Sequence, residues 1–284
     1  MNTEFFRPDS LSEAVTILAR YNGSAVVVNG GTDIVIDIIN GKVQPAAIVY
    51  IQKIPELQNI SHRDGRISLG GAVTFRDMQR SPFCRQVAGL MASLRALGSP
   101  AIRAVATPAG NVCNAAPSAD CSTMLTALEA QIVLISQNVE RTVPLKDFFI
   151  SAYQTVRQKD EIIREINFAA PGKGSGTGYY RVSQRKAQDI GHALVGVFLQ
   201  LENGVCARAS ISLGALNATI VRSHSIERAI VGKTREEALS FTRATFPIET
   251  NLLEDYFKRY KELVVPAVLT RAIAMAWDDA ERRV

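Results

Sequence analysis

The chain has no C-x-x-C pair. Its four cysteines, Cys84, Cys113, Cys121 and Cys206, stand apart, which argues against a zinc ribbon or an iron–sulfur cluster on this chain and leaves buried free thiols. No uninterrupted apolar run approaches the roughly 20 residues that span a bilayer. The opening Met-Asn-Thr-Glu-Phe-Phe-Arg-Pro lacks the charged-then-apolar layout of a signal peptide, so the cytoplasm is the expected compartment. A dense basic block interleaved with aromatics is also missing. The net charge of +5, from 32 basic and 27 acidic residues, therefore speaks against a nucleic-acid surface and suits an anionic ligand or an acidic partner. Neither the G-x-G-x-x-G fingerprint nor the G-x-x-x-x-G-K-[ST] loop occurs. No Ser-His-Asp or paired-carboxylate arrangement is legible, so no catalytic residue and no metal site is assigned to this chain.

What is present is globular. At 284 residues, with 47% hydrophobic and 21% charged residues, the chain is long enough for two or three units with real cores. Ser10-Leu11-Ser12-Glu13 has capping-box spacing ahead of Ala14, Val15, Leu18 and Ala19 on one face, predicting a helix over 10–21. Ala25-Val26-Val27-Val28 reads as a buried strand running directly into Asn29-Gly30-Gly31-Thr32-Asp33. Ala47 to Ile51 reads as another strand, and Ile67 to Gly71 opens a second unit. Phe83, Val87, Leu90, Met91, Leu94 and Leu97 recur at helical spacing until Gly98-Ser99-Pro100 stops them. Strands are expected at 131–135 and 161–168, with a helical turn at 144–149 between them. Pro171-Gly172-Lys173-Gly174-Ser175-Gly176-Thr177-Gly178, dense in glycine, reads as a flexible linker. Beyond it, Tyr179 to Val182, His192 to Leu201 and Val205 to Leu213 form a β-meander, with a hairpin signal at Glu202-Asn203-Gly204. The remainder, 226–279, is helical by pattern, with Trp277 on a core face. The resulting boundaries are residues 1–55, 56–171, a linker at 172–178, and 179–284.

Two stretches are rich enough in small residues to let backbone approach a ligand closely: Asn29 to Asp33, and Ala106-Thr107-Pro108-Ala109-Gly110-Asn111 continuing to Asp120. Exposed N–H groups in such loops can bind phosphate, most strongly where the loop runs into a helix N-terminus. Each stretch alone also reads as an ordinary turn.

Taken together, in this order and setting, the two loops resemble those of the FAD-binding subunit, or middle domain, of the molybdenum hydroxylases. That family includes xanthine dehydrogenase, nicotinate dehydrogenase and carbon monoxide dehydrogenase. The likeness extends over the Phe-Phe-Arg-Pro opening, Gly98-Ser99-Pro100-Ala101-Ile102-Arg103, Asn111 to Asp120, Val143 to Phe149 and the β-meander.

The resemblance implies an α+β fold in which an N-terminal FAD-binding region of two α+β subdomains precedes a C-terminal antiparallel sheet packed with helices. It further implies that Val27, Val28, Asn29, Gly30, Gly31, Thr32 and Asp33 wrap the FAD pyrophosphate with Thr107, Ala109, Gly110 and Asn111. Asp120 would contact the nucleotide, and Leu97 and Ile163 would supply apolar contacts. Asp189 and Ile190 would lie beside the isoalloxazine, with Arg181 and Lys186 placed to stabilise reduced flavin. His192 would lie near the flavin edge, whereas His62 and His224 read as surface residues. The molybdenum cofactor would sit on a large partner subunit and two [2Fe–2S] clusters on a small one. This chain would then pass electrons through FAD to an acceptor such as NAD.

One departure stands out. The second loop of the family reads Thr-x-Gly-Gly-Asn, and here Pro108 and Ala109 replace the variable residue and the first glycine. Proline removes an N–H donor, and alanine adds a methyl group where backbone approaches ligand. Weakened FAD binding is the expected consequence, and a non-catalytic scaffold or assembly subunit is the alternative role.

Overall fold

The computed structural model describes residues 3–245, 247, 249–252 and 257–284. Its first layer comprises β1 (Glu4–Phe6), α1 (Leu11–Arg20), β2 (Ala25–Val28), α2 (Ile34–Ile39) and β3 (Ala47–Tyr50), with the strands in a parallel sheet ordered β1-β3-β2. Helix α1 buries Leu11, Ala14, Val15 and Leu18, the face expected from its spacing. The Ser10 hydroxyl accepts the Glu13 amide as the capping box requires, but the Glu13 carboxylate takes the Asp9 amide instead of that of Ser10.

The second layer is a five-stranded antiparallel sheet carrying a group of helices. Its elements are β4 (Ile60–Arg63), β5 (Arg66–Gly70), α3 (Phe75–Arg80), α4 (Pro82–Arg85), α5 (Ala88–Ala96), α6 (Pro100–Val105), α7 (Pro108–Asn114), α8 (Asp120–Ala127), β6 (Gln131–Ile135) and β7 (Glu140–Pro144). After these come the small hairpin of β8 (Phe149–Ser151) and β9 (Gln154–Thr155), and then β10 (Ile162–Ala169). The strand order is β4-β5-β10-β6-β7. The apolar series from Phe83 to Leu97 belongs to two helices rather than one, because Val87 leaves helical geometry at φ −102°, ψ 88°. Pro82 at the first turn of α4, behind the Ser81 cap, starts the earlier one.

The third layer holds β11 (Ser175–Val182), β12 (Ala193–Glu202), β13 (Val205–Gly214), β14 (Val221–Arg222), α9 (His224–Ile230), α10 (Arg235–Arg243) and α11 (Lys258–Glu281). The meander β11-β12-β13 is as expected. Its hairpin turns on Asn203 and Gly204, at φ +51° and +80°, the paired positive angles of a two-residue turn. Within the stretch read as helical, residues 246, 248 and 253–256 lie outside the described residues.

The glycine-dense stretch is not a flexible linker from end to end. Ser175 to Gly178 form the start of β11 and are buried between β12 and α11. A Cβ on Gly176 or Gly178 would come within 2.0 Å of the Ala276 carbonyl or 2.1 Å of that of Ala272. These glycines let helix and strand touch backbone to backbone. Asp279 of α11 fixes the contact by accepting from the Thr177 amide at 2.9 Å and hydroxyl at 3.1 Å, and that hydroxyl in turn accepts the Gly89 amide of α5. Trp277 is buried in the C-terminal core. Among the described residues no helix is long and apolar enough to cross a membrane.

Candidate functional site

Both small-residue loops face one cleft. The first, residues 29–33, leaves the parallel sheet at the end of β2 and enters α2. Gly31 sits at φ +70°, a region that L side chains avoid. Gly30 has a different job: a Cβ there would meet the Val105 carbonyl oxygen at 2.1 Å, so this glycine lets the first loop lie directly against the end of α6. The Gln52 side chain donates to that same carbonyl at 2.6 Å, closing the contact from the sheet side. Asn29 is held by its Nδ2, which donates to the Gly71 carbonyl at 2.6 Å. Its Oδ1 is buried and has no hydrogen-bond partner among the described residues, on a residue that lines the cleft. An orphan acceptor of this kind costs about 1–3 kcal/mol unless a ligand supplies a donor.

The second loop is the start of a helix. Thr107 caps α7, its hydroxyl accepting the Gly110 amide at 3.0 Å, and Pro108 occupies the first helical position. Proline is well suited there, since its fixed φ matches the helix and its missing N–H is one no helical carbonyl would have used. Ala109 has no positive φ and is buried within α7. The substitutions in this loop therefore build a capped helix start without strain. The Asn111 side chain points onward: its Oδ1 accepts the amide and hydroxyl of Ser122 at 3.2 and 2.8 Å, serving as the cap that Ala119 cannot give α8.

The cleft between the loops has a volume of about 280 Å³. Of the residues assigned from sequence, it brings together Val27, Asn29, Gly30, Gly31, Thr32, Asp33, Leu97, Thr107, Ala109, Gly110, Asn111 and Ile163. Phe75, Ile102, Cys113, Asn114, Arg157 and Glu161, which sequence reasoning missed, line it too. Arg157 and Glu161 lie between β9 and β10 and carry no local motif. They reach the cleft because the β8–β9 hairpin docks on the end of α7, the Tyr153 amide donating to the Ala115 carbonyl at 3.0 Å.

Glu161 is buried, which raises its pKa. Bonds from the Arg141 guanidinium at 2.6 and 2.9 Å and from the Gln158 amide, with Arg157 nearby, outweigh that and hold it below the ordinary glutamate value. Burial pushes the Cys113 thiol up, opposed by the Arg157 charge.

Six assigned residues lie elsewhere. Val28 is buried and does not line the cleft. Asp120 is committed to Nη1 of Arg181 at 2.8 and 2.9 Å and to the Tyr179 hydroxyl at 2.6 Å, and neither Asp120 nor Arg181 lines the cleft. Burial raises the Asp120 pKa against the pull of Arg181 and Tyr179, and burial beside that carboxylate raises Tyr179 well above the ordinary tyrosine value. Lys186, Asp189 and Ile190 belong to the loop joining β11 and β12. Asp189 pairs with Arg185 at 3.0 Å, and Ile190 is 70% exposed. His192 packs against Phe257 with ring centroids 4.2 Å apart and the planes tilted by 31°.

The lining fits FAD. It joins apolar faces from Phe75, Leu97, Ile102 and Ile163 to polar groups on Asn29, Thr32 and Arg157, and the unpartnered Asn29 Oδ1 can accept from the hydroxyl and N–H groups in which this dinucleotide is rich.

Comparison with known proteins agrees. Residues 1–170 match the family described as the FAD binding domain in molybdopterin dehydrogenase, and residues 178–275 match the CO dehydrogenase flavoprotein C-terminal domain. The chain is 28% identical to the nicotinate dehydrogenase FAD-subunit of Eubacterium barkeri, over 98% of this chain and 97% of that one. It is 26% identical to the carbon monoxide dehydrogenase medium chain of Hydrogenophaga pseudoflava, over 96% of each. The solved carbon monoxide dehydrogenase from Hydrogenophaga pseudoflava superposes with a TM-score of 0.89 at 26% identity, covering 98% of both chains. With both loops on one cleft and the family match spanning the whole N-terminal region, this chain belongs to the FAD-binding subunits of the molybdenum hydroxylase family.

Proposed function

We propose that the chain is the electron-transfer subunit of a multi-subunit molybdenum hydroxylase, receiving electrons from iron–sulfur clusters on a small partner and passing them to an acceptor such as NAD. The observation that carries this reading is the shared cleft, where two loops far apart in sequence meet and whose lining includes Asn29, with its buried, unpartnered Oδ1. Bound there, FAD would supply the chemistry that links one-electron donors to a two-electron acceptor. The protein's own part is to hold the dinucleotide through residues 29–33 and 107–111, to keep water from its apolar portion with Phe75, Leu97, Ile102 and Ile163, and to fix the polar wall through Glu161 and Arg141.

The scaffold alternative rests on Pro108 and Ala109; the absence of positive φ at Ala109 and the capped start of α7 speak against backbone strain as its cause, while the N–H that Pro108 lacks is left to the FAD titration. The test is a visible spectrum of the purified chain after addition of FAD and desalting. Retained flavin bands are expected, and a colourless protein would overturn the reading. In the assembled complex, substrate-dependent reduction of NAD, compared with a quinone and oxygen, assigns the acceptor.

A further inference from the structure

The cleft is poor in positive charge for a dinucleotide site. Three carboxylates line it, those of Asp33, Asp37 and Glu161, and among the described residues Arg157 is the one lysine or arginine that does so. The helix start that faces it is also short of donors. Pro108 has no N–H, and the Gly110 amide is already taken by the Thr107 hydroxyl. FAD nevertheless brings a pyrophosphate with two negative charges.

Arg157 is built to meet that demand. Its Nη1 donates to the Gln158 carbonyl at 3.0 Å and to the Glu161 carbonyl at 2.7 Å, which fixes the plane of the guanidinium. Its Nε and Nη2 have no hydrogen-bond acceptor among the described residues. Those two nitrogens form the fork edge of the group, whose parallel N–H bonds match two oxygens of a phosphate. The Glu161 carboxylate does not compete for that edge, since it is occupied by Arg141 and by the Gln158 amide.

We infer that Arg157 is a cofactor-binding residue whose Nε/Nη2 edge contacts the pyrophosphate of FAD, supplying the positive charge that the Pro108-containing helix start lacks. This rests on the FAD reading above. The side chain is half-buried and anchored by its own loop, so the contact costs little ordering on binding.

The test is titration of the flavin-free full chain with FAD, ADP, riboflavin and adenosine, in wild type, Arg157→Gln and Arg157→Lys. Charge-assisted bonds of this type correspond to a loss of about 10- to 100-fold in affinity. Arg157→Gln should lose that much for FAD and ADP while riboflavin and adenosine binding stay within about twofold, and Arg157→Lys should recover part of the loss. FAD and ADP binding unchanged in Arg157→Gln would overturn the inference. So would an equal loss for riboflavin and FAD, which would place Arg157 against the ring or assign it to loop structure alone. If wild type itself takes up no FAD, the FAD reading fails instead, and the two failures are distinct.

Discussion

The Asp120 carboxylate at the start of α8 and the Arg181 guanidinium on β11 face each other with one nitrogen 2.8 and 2.9 Å from the two oxygens, their side chains only 9% and 8% exposed. The pair joins the helical layer over the cofactor cleft to the C-terminal sheet, and the Tyr179 hydroxyl completes it from the same strand. Removing one partner strands a buried charge, which costs about 3–5 kcal/mol. Asp120→Ala and Arg181→Met should each lower unfolding stability by that order in urea. The double variant should be far less destabilised than their sum. Additive losses would show that the pair does not couple the two layers.

The first loop makes a sharper demand on sequence. A methyl group on Gly30 would sit 2.1 Å from the Val105 carbonyl oxygen, a backbone atom that cannot swing aside. Gly30→Ala should force the two cleft loops apart, costing about 1–3 kcal/mol or more and lowering FAD affinity with it. Gly110→Ala is the control. Its added Cβ meets only the Thr107 hydroxyl, at 3.1 Å, so it should cost less. Thermal melts of the two variants check the contrast in stability, FAD titration of Gly30→Ala checks its effect on the cleft, and equal losses of stability would refute the contrast.

Acid should loosen the polar wall of the cleft. Glu161 titrates below the ordinary glutamate value when folded, so its contribution is complete above about pH 4.5 and is lost as the pH falls through the folded value. Glu161→Gln should lower stability by about 1–3 kcal/mol near neutral pH. The gap in melting temperature between wild type and variant should then narrow as the pH is taken below about 4.5. A gap that stays constant with pH would assign the loss to packing rather than charge.

Features built from neighbouring residues were legible in the sequence. The Ser10 cap on the Glu13 amide and the Asn203-Gly204 turn each close within four positions, so local chemistry decides them. The two cofactor loops were legible through their small residues, but their meeting at Gly30 and Val105 was not. Arg157 and Glu161 escaped because only the docking of a hairpin on α7 brings them to the cleft. Asp120 and Arg181 suit the cofactor equally well in sequence, and their commitment to each other depends on β11 lying beside α8. The same ambiguity affects Gly176 and Gly178. Glycine serves a linker or a strand pressed by a helix, and α11 lies about a hundred residues further on.

Restoring the family glycine at position 109 tests whether the departure in the second loop is a defect. If Ala109 occupied a left-handed position or crowded the cofactor, Ala109→Gly would tighten FAD binding. Ala109 instead lies in the first turn of α7, at negative φ, with Thr107 capping ahead of it and Pro108 preset for the helix. Glycine there only adds freedom to the unfolded chain and should cost about 0.5–1 kcal/mol. FAD affinity should stay within about twofold of wild type while the melting temperature falls slightly. A tenfold gain in affinity would mean that the Ala109 methyl group does obstruct the cofactor and that this loop has drifted from its binding role.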